Sequence, residues 1–111
     1  MASVVHITLL SVATPRGGMI PVVKSTPLVT GQSLTSSASN QQGSQSVPAG
    51  KDDGLSVWRI SVSSTGDKDI YVAIGQSPDA TSAANRHLCA RGNVLEFASE
   101  AVGDKVAIVE A

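Results

Sequence analysis

Apolar and polar positions alternate with a period of two along much of this chain, the mark of strands with one face buried in a sheet. The clearest run puts Trp58, Ile60 and Val62 on one face and Arg59, Ser61 and Ser63 on the other. Leu55 and Val57 have the opposite parity, which predicts a bulge just before Trp58. Ser64-Thr65-Gly66-Asp67 is a turn signal, after which Ile70, Val72 and Ile74 alternate with Tyr71 and Ala73 as far as Gly75. Together the two runs predict a β-hairpin over 57–74.

The other segments follow the same grammar. In Ser3–Ala13, Val5, Ile7 and Leu9 alternate against His6, Thr8 and Leu10. Thr14-Pro15-Arg16-Gly17-Gly18 breaks that strand, because proline fixes φ and glycine permits positive φ. Met19 to Val23 resumes as a short strand, and Pro21 and Pro27, which lack a backbone donor, suit an edge or an extended arm. Residues 1–30 therefore read as an N-terminal β-hairpin or extended arm, and residues 31–111 as a β-sandwich domain. Within the latter, Gly31–Ser39 forms one polar strand and Asn40–Ser46 a loop. Val47-Pro48-Ala49-Gly50 and Lys51-Asp52-Asp53-Gly54 are successive turns. Gln76–Asn85 is a Ser/Ala/Asp loop with room for one helical turn at Ala80–Asn85. Arg86–Ala90 and Asn93–Ala98 are short strands around Arg91-Gly92, with Leu95 and Phe97 on one face and Val94 and Glu96 on the other. A turn at Ala101–Asp104 leads to a last strand, Lys105–Val109. Turns every 8–12 residues predict an all-β chain: an antiparallel β-sandwich or barrel-like fold of six to nine strands with almost no helix.

Composition agrees. Val, Ile and Thr supply 27 of 111 residues, while charged residues are only 15%, against ~25% in an ordinary soluble domain. β-Branched side chains fit a pleated surface, and helix-forming charged residues are scarce. A net charge of −1 argues against a basic nucleic-acid binder. Cys89 is the only cysteine, so no intrachain disulfide forms and folding in a reducing cytosol is expected. No apolar run reaches the 18 residues of a transmembrane helix. Val4–Val12 is mostly apolar and ends in Ser11-Val12-Ala13, which resembles a cleavage site. No Lys or Arg precedes it, however, and His6, Thr8 and Ser11 interrupt it, so it reads as a strand rather than a leader.

Candidate chemistry is sparse. His6 and His87 have no partners at metal-ligand spacing, and no nucleotide-binding, zinc-protease or nucleophile-elbow motif occurs. His87 and Cys89 share a strand face, which leaves a reactive thiolate as the one enzymatic alternative. Asp52, Asp53, Asp67, Asp69 and Asp104 lie beside turn glycines, where local hydrogen bonding accounts for them. Calcium at Asp67 and Asp69 would need further oxygen ligands that do not follow. Trp58, Tyr71 and Phe97 are too few and too core-like for sugar stacking or single-strand binding. The residues therefore predict no catalytic, cofactor or metal site. They do predict association: apolar Val5, Ile7, Leu9 and Leu10, with Met19 and Ile20 on the return, are candidate protein-interaction residues, and an internal strand is the alternative.

The second half resembles small β-rich virion proteins of tailed bacteriophages. The likeness rests on Ile70-Tyr71-Val72-Ala73-Ile74-Gly75-Gln76-Ser77-Pro78-Asp79-Ala80-Thr81 and on the turn Leu88-Cys89-Ala90-Arg91-Gly92. Glu96-Phe97 and Gly103-Asp104-Lys105-Val106-Ala107-Ile108 complete it. Arg86, His87 and Cys89 are larger than the family pattern, and residues 1–30 have no counterpart in it. The resemblance implies a non-enzymatic structural protein without cofactor, most specifically a capsid decoration or cement protein on the major capsid shell. A tail or neck accessory protein and a carbohydrate-binding module for host attachment are the alternatives. Implied partners are copies of itself, a trimer among the options, and a major capsid or other virion protein, with neither nucleic acid nor membrane. The implied location is the virion, after folding in the host bacterial cytoplasm.

Overall fold

The computed structural model describes residues 2–13, 22–49 and 56–111. Among them are nine strands and no helix: β1 Val4–Ala13, β2 Val22–Pro27, β3 Gln32–Thr35, β4 Gln41–Gln42, β5 Ser56–Val62, β6 Ile70–Gly75, β7 Arg86–Cys89, β8 Val94–Ala98 and β9 Lys105–Glu110. They form two antiparallel sheets packed face to face, a β-sandwich. One sheet has the order β2-β1-β5-β8, with β3 also paired to β1, and the other has the order β4-β9-β6-β7.

The alternation explains the core. Val5, Ile7, Leu9, Trp58, Ile60 and Val62 of the first sheet meet Ile70, Val72, Val106 and Ile108 of the second, each at most 2% exposed. Burial of such side chains is worth ~1.5–3 kcal/mol each before ordering costs. A smaller cluster lies outside the second sheet, where Ala73, Ala107 and Val109 are covered by Ala80 and Tyr71. The loop 76–85 folds back to make that cover. Pro78 O accepts bonds from Asn40 Nδ2 and Gln42 Nε2, both at 3.2 Å, and Ala80 N–H donates to Asn40 Oδ1 at 2.8 Å.

Four expectations need correction. First, 57–74 is not a hairpin, because β5 and β6 belong to opposite sheets. A hairpin would leave Trp58, Ile60, Ile70 and Val72 on one shared face in need of a cover, whereas crossing between sheets makes the two strands cover each other. The crossing is pinned at Ser3, whose Oγ donates to Lys68 O at 2.7 Å and accepts from Lys68 N–H at 3.2 Å. β7 and β8 cross in the same way through a turn at Gly92, whose φ is +80°.

Second, β5 carries no bulge before Trp58. Its register with β1 is continuous from Ser56 to Val62, and the irregularity lies instead in the β1–β2 pairing, where Leu10 to Val12 oppose Pro27 to Val23.

Third, the described part of residues 1–30 does not project as an arm: β1 and β2 pair antiparallel, as the hairpin alternative has it, and β1 is an internal strand with β5 on one edge and β3 and β2 on the other. Residue 30 is thus no boundary in the fold. Val5, Ile7 and Leu9 are at most 1% exposed and Leu10 is 5% exposed. The apolar alternation expected to hold a neighbour is spent on the chain's own core. Met19, Ile20, the Thr14–Gly18 breaker, Pro21 and the Lys51–Gly54 turn lie outside the described residues.

Fourth, Ala80–Asn85 forms turns instead of a helical turn. Asp79 Oδ1 accepts from the Thr81 hydroxyl at 2.6 Å and from its N–H at 3.0 Å, and this local bonding competes with helix.

Candidate functional site

β7 and β8 each end a sheet on the same side of the sandwich, so two strand edges lie open beside each other there among the described residues. Where the two sheets part on this side, a cleft of about 710 Å³ runs between the end of β6, the loop 76–85, Arg86 and His87 of β7, and Phe97 to Glu100. Besides Arg86 and His87, its polar lining comes from Gln76, Ser77, Asp79, Ser82, Asn85 and Glu100.

Arg86, His87 and Phe97 of the cleft, and Glu96 beside it, are each positioned by a specific neighbour. The Arg86 guanidinium lies 3.7 Å above the Tyr71 ring, and Arg86 Nη1 donates to Thr81 O at 3.4 Å. The His87 ring tilts against Phe97 across the sheet gap, with centroids 4.8 Å apart. On β8, the Glu96 carboxylate binds Arg59 of β5, with Nε and Nη2 both 2.9 Å from Oε2. Two apolar side chains face solvent near the β7–β8 turn: Leu88 at 55% exposure and Val94 at 51%.

The paired faces expected for His87 and Cys89 are present, since they stand opposite the buried Val72 and Ile70. Cys89 is nevertheless a core residue. Burial pushes its thiol above the ordinary range and the nearby Asp69 charge adds to the shift, which is the reverse of thiolate activation. Its Sγ–H points to Ala90 O and Asn93 O at 3.8 and 3.6 Å, closing the β7–β8 turn. Asp69 Oδ1 accepts the Arg91 N–H at 3.0 Å, and no group of three metal-ligating side chains forms among the described residues. His6 bonds Ser33 Oγ through Nδ1 at 2.8 Å, on β1 of the sheet opposite the one that carries His87.

The motif residues behind the phage resemblance have structural roles. Gly103 takes φ +89° in the turn before β9. Asp104 is buried there; its Oδ1 accepts from Gln76 Nε2 at 2.7 Å and its Oδ2 from Ala101 N–H at 3.2 Å. Pro78 and Ala80 are the clip of the covering loop described above. Sequence reasoning did not single out Leu88 or Val94. Leu88 lies on a four-residue strand between loops, too short for alternation to register, whereas Val94 reads on the outward face of its strand but not as a contact residue. No family model, characterised protein or solved structure matches this chain.

Proposed function

We propose that this chain is a non-enzymatic structural component of a tailed-phage particle, acting as a decoration or cement protein on the major capsid shell. The observation that carries this reading is the open side of the sandwich. Two strand edges unpaired among the described residues, and two exposed apolar side chains, stand beside a cleft whose Arg86 and His87 are committed to aromatic neighbours. Such a surface works by contact: unpaired backbone groups accept an extended strand from a neighbour, and many weak contacts in a symmetric shell sum to firm attachment. The resemblance over about residues 31–111 supports the same reading, and the glycine and proline positions of its motifs act here as scaffold.

Quantitative mass spectrometry of purified particles, separated into heads and tails, tests it. The chain should appear in the head fraction in numbers commensurate with the shell. Confinement to tails would move the role to a tail or neck accessory protein, and absence from both fractions would overturn the virion reading. Binding on a glycan array would then favour attachment to host carbohydrate.

A further inference from the structure

We propose that β7 is a self-association edge: two copies pair their β7 strands antiparallel about a two-fold axis at Leu88, so that two four-stranded sheets become one. This adds an interface to the reading above without resting on it, because it concerns the isolated protein in solution.

Ladder geometry shows which backbone groups are free. Ala111 N–H donates to Asp69 O at 2.9 Å, which makes 69 and 111 a hydrogen-bonded pair of the β6–β9 ladder. Such pairs alternate with non-bonded ones, so Tyr71 and Ala73 also turn their backbone groups to β9, and Ile70 and Val72 turn theirs to β7. Cys89 and His87, their partners, are therefore satisfied. Arg86 and Leu88 aim N–H and C=O away from the sheet, and among the described residues no strand follows β7.

The neighbouring β8 edge is built differently. Ser99 N–H bonds Ser56 O at 2.8 Å, so the outward backbone groups belong to Val94, Glu96 and Ala98. Glu96 stands in the middle of that edge with its charge held in place by Arg59, a common guard against strand addition. On β7 the charged residue, Arg86, is drawn back over Tyr71. The other outward position is Leu88, apolar and 55% exposed. This edge is unguarded.

Register selects a second copy as the occupant. Centred at Leu88, antiparallel pairing sets Leu88 against Leu88 of the second copy, Arg86 against Ala90 and His87 against Cys89. No like charges oppose each other, and the exposed leucines cover one another. The same operation on β8 about its central residue sets Glu96 against Glu96, a destabilising arrangement. The β7 contact is isologous and closes at two copies, because each β7 edge is used once.

Sedimentation equilibrium and cross-linking test the proposal. The protein should show a concentration-dependent monomer–dimer equilibrium. Leu88→Asp should raise the dissociation constant by more than about tenfold while leaving the circular dichroism spectrum unchanged. In a Cys89→Ser background, Leu88→Cys should yield a covalent dimer on mild oxidation. Paired Cα atoms in such a register lie about 5.5 Å apart, within the span of a disulfide. Arg86→Cys in the same background should not cross-link, since its two copies would be offset by roughly 13 Å along the strands. A chain that stays monomeric at millimolar concentration overturns the proposal. So does a dimer indifferent to Leu88→Asp, or equal cross-linking at positions 86 and 88. The contrast between those two positions decides the matter even if Leu88→Asp fails to fold.

Discussion

The His87 ring and the Phe97 ring meet at 4.8 Å with a 38° tilt, one carried by β7 and the other by β8, in opposite sheets. The contact bridges the gap where the sandwich opens into its cleft. Removing either ring should widen that gap. Phe97→Ala is expected to cost about 2–3 kcal/mol in urea denaturation, less than a fully buried phenylalanine because Phe97 is half-buried. A double-mutant cycle with His87→Ala should return a coupling of about 0.5–1.5 kcal/mol. Strict additivity would show that the rings touch without holding the sheets together.

Gly66 is packed against the start of β1. A methyl group there would lie 2.5 Å from Ser3 Oγ and 2.6 Å from Ser3 Cα, while at Gly75 it would meet nothing within 4 Å. Gly66→Ala should therefore destabilise by about 1–3 kcal/mol or more, because backbone must move. Gly75→Ala should be near neutral. Equal thermal midpoints for the two variants would contradict the close approach of the 63–69 crossing to Ser3.

Ser36 ties three strands at the base of the sandwich. Its Oγ accepts the Ser3 N–H at 2.9 Å and donates to Glu110 Oε2 at 2.8 Å, and both serines are buried. Ser36→Ala leaves the Ser3 N–H buried without that acceptor, at an expected cost of about 1–3 kcal/mol. Ser36→Thr, which keeps the hydroxyl, should recover part of the loss. Loss of hydrogen-exchange protection at Ser3 in the alanine variant is the direct readout.

The Asp79 carboxyl is held below the usual range, chiefly by the Thr81 hydroxyl and then by the Thr81 N–H. A depressed folded value contributes stability above the unfolded value and loses it as pH falls through the folded one. NMR titration should place Asp79 below an ordinary aspartate, and Thr81→Val should move it upward. An unmoved titration would mean that the side-chain bond is not made in solution.

Burial raises the Cys89 thiol, with Asp69 adding to it. A raised thiol value means that the unfolded chain deprotonates first, so stability should fall as pH rises beyond the unfolded value, about 8.5. Alkylation by iodoacetamide at pH 8 should be slow in the folded protein and fast in denaturant. Rapid native labelling would show the β7–β8 turn to be open.

The chain's alternation determined which faces are buried. Val5, Ile7 and Leu9, Trp58, Ile60 and Val62, and Ile70 and Val72 all point inward as their period predicts. Half-buried Leu95 and Phe97 do the same, opposite exposed Val94 and Glu96. Turn chemistry was equally legible at Gly92 and Gly103, since positive φ is a local requirement that glycine meets. Strand partnership was not legible. A two-residue period says which face is apolar, and both a hairpin and a crossing between sheets satisfy it. Only the summed packing of Trp58, Ile60, Ile70 and Val72 chose the crossing over 57–74. For the same reason Val5, Ile7 and Leu9 read equally well as an arm for a neighbour or as an inner strand, until β5 and β3 took both sides of β1. The cover at Ala80 depends on Asn40, 40 residues earlier, and the open edge at Leu88 depends on the lack of a strand beyond β7 among the described residues. Both are consequences of contacts between segments distant in the chain, which local pattern does not carry.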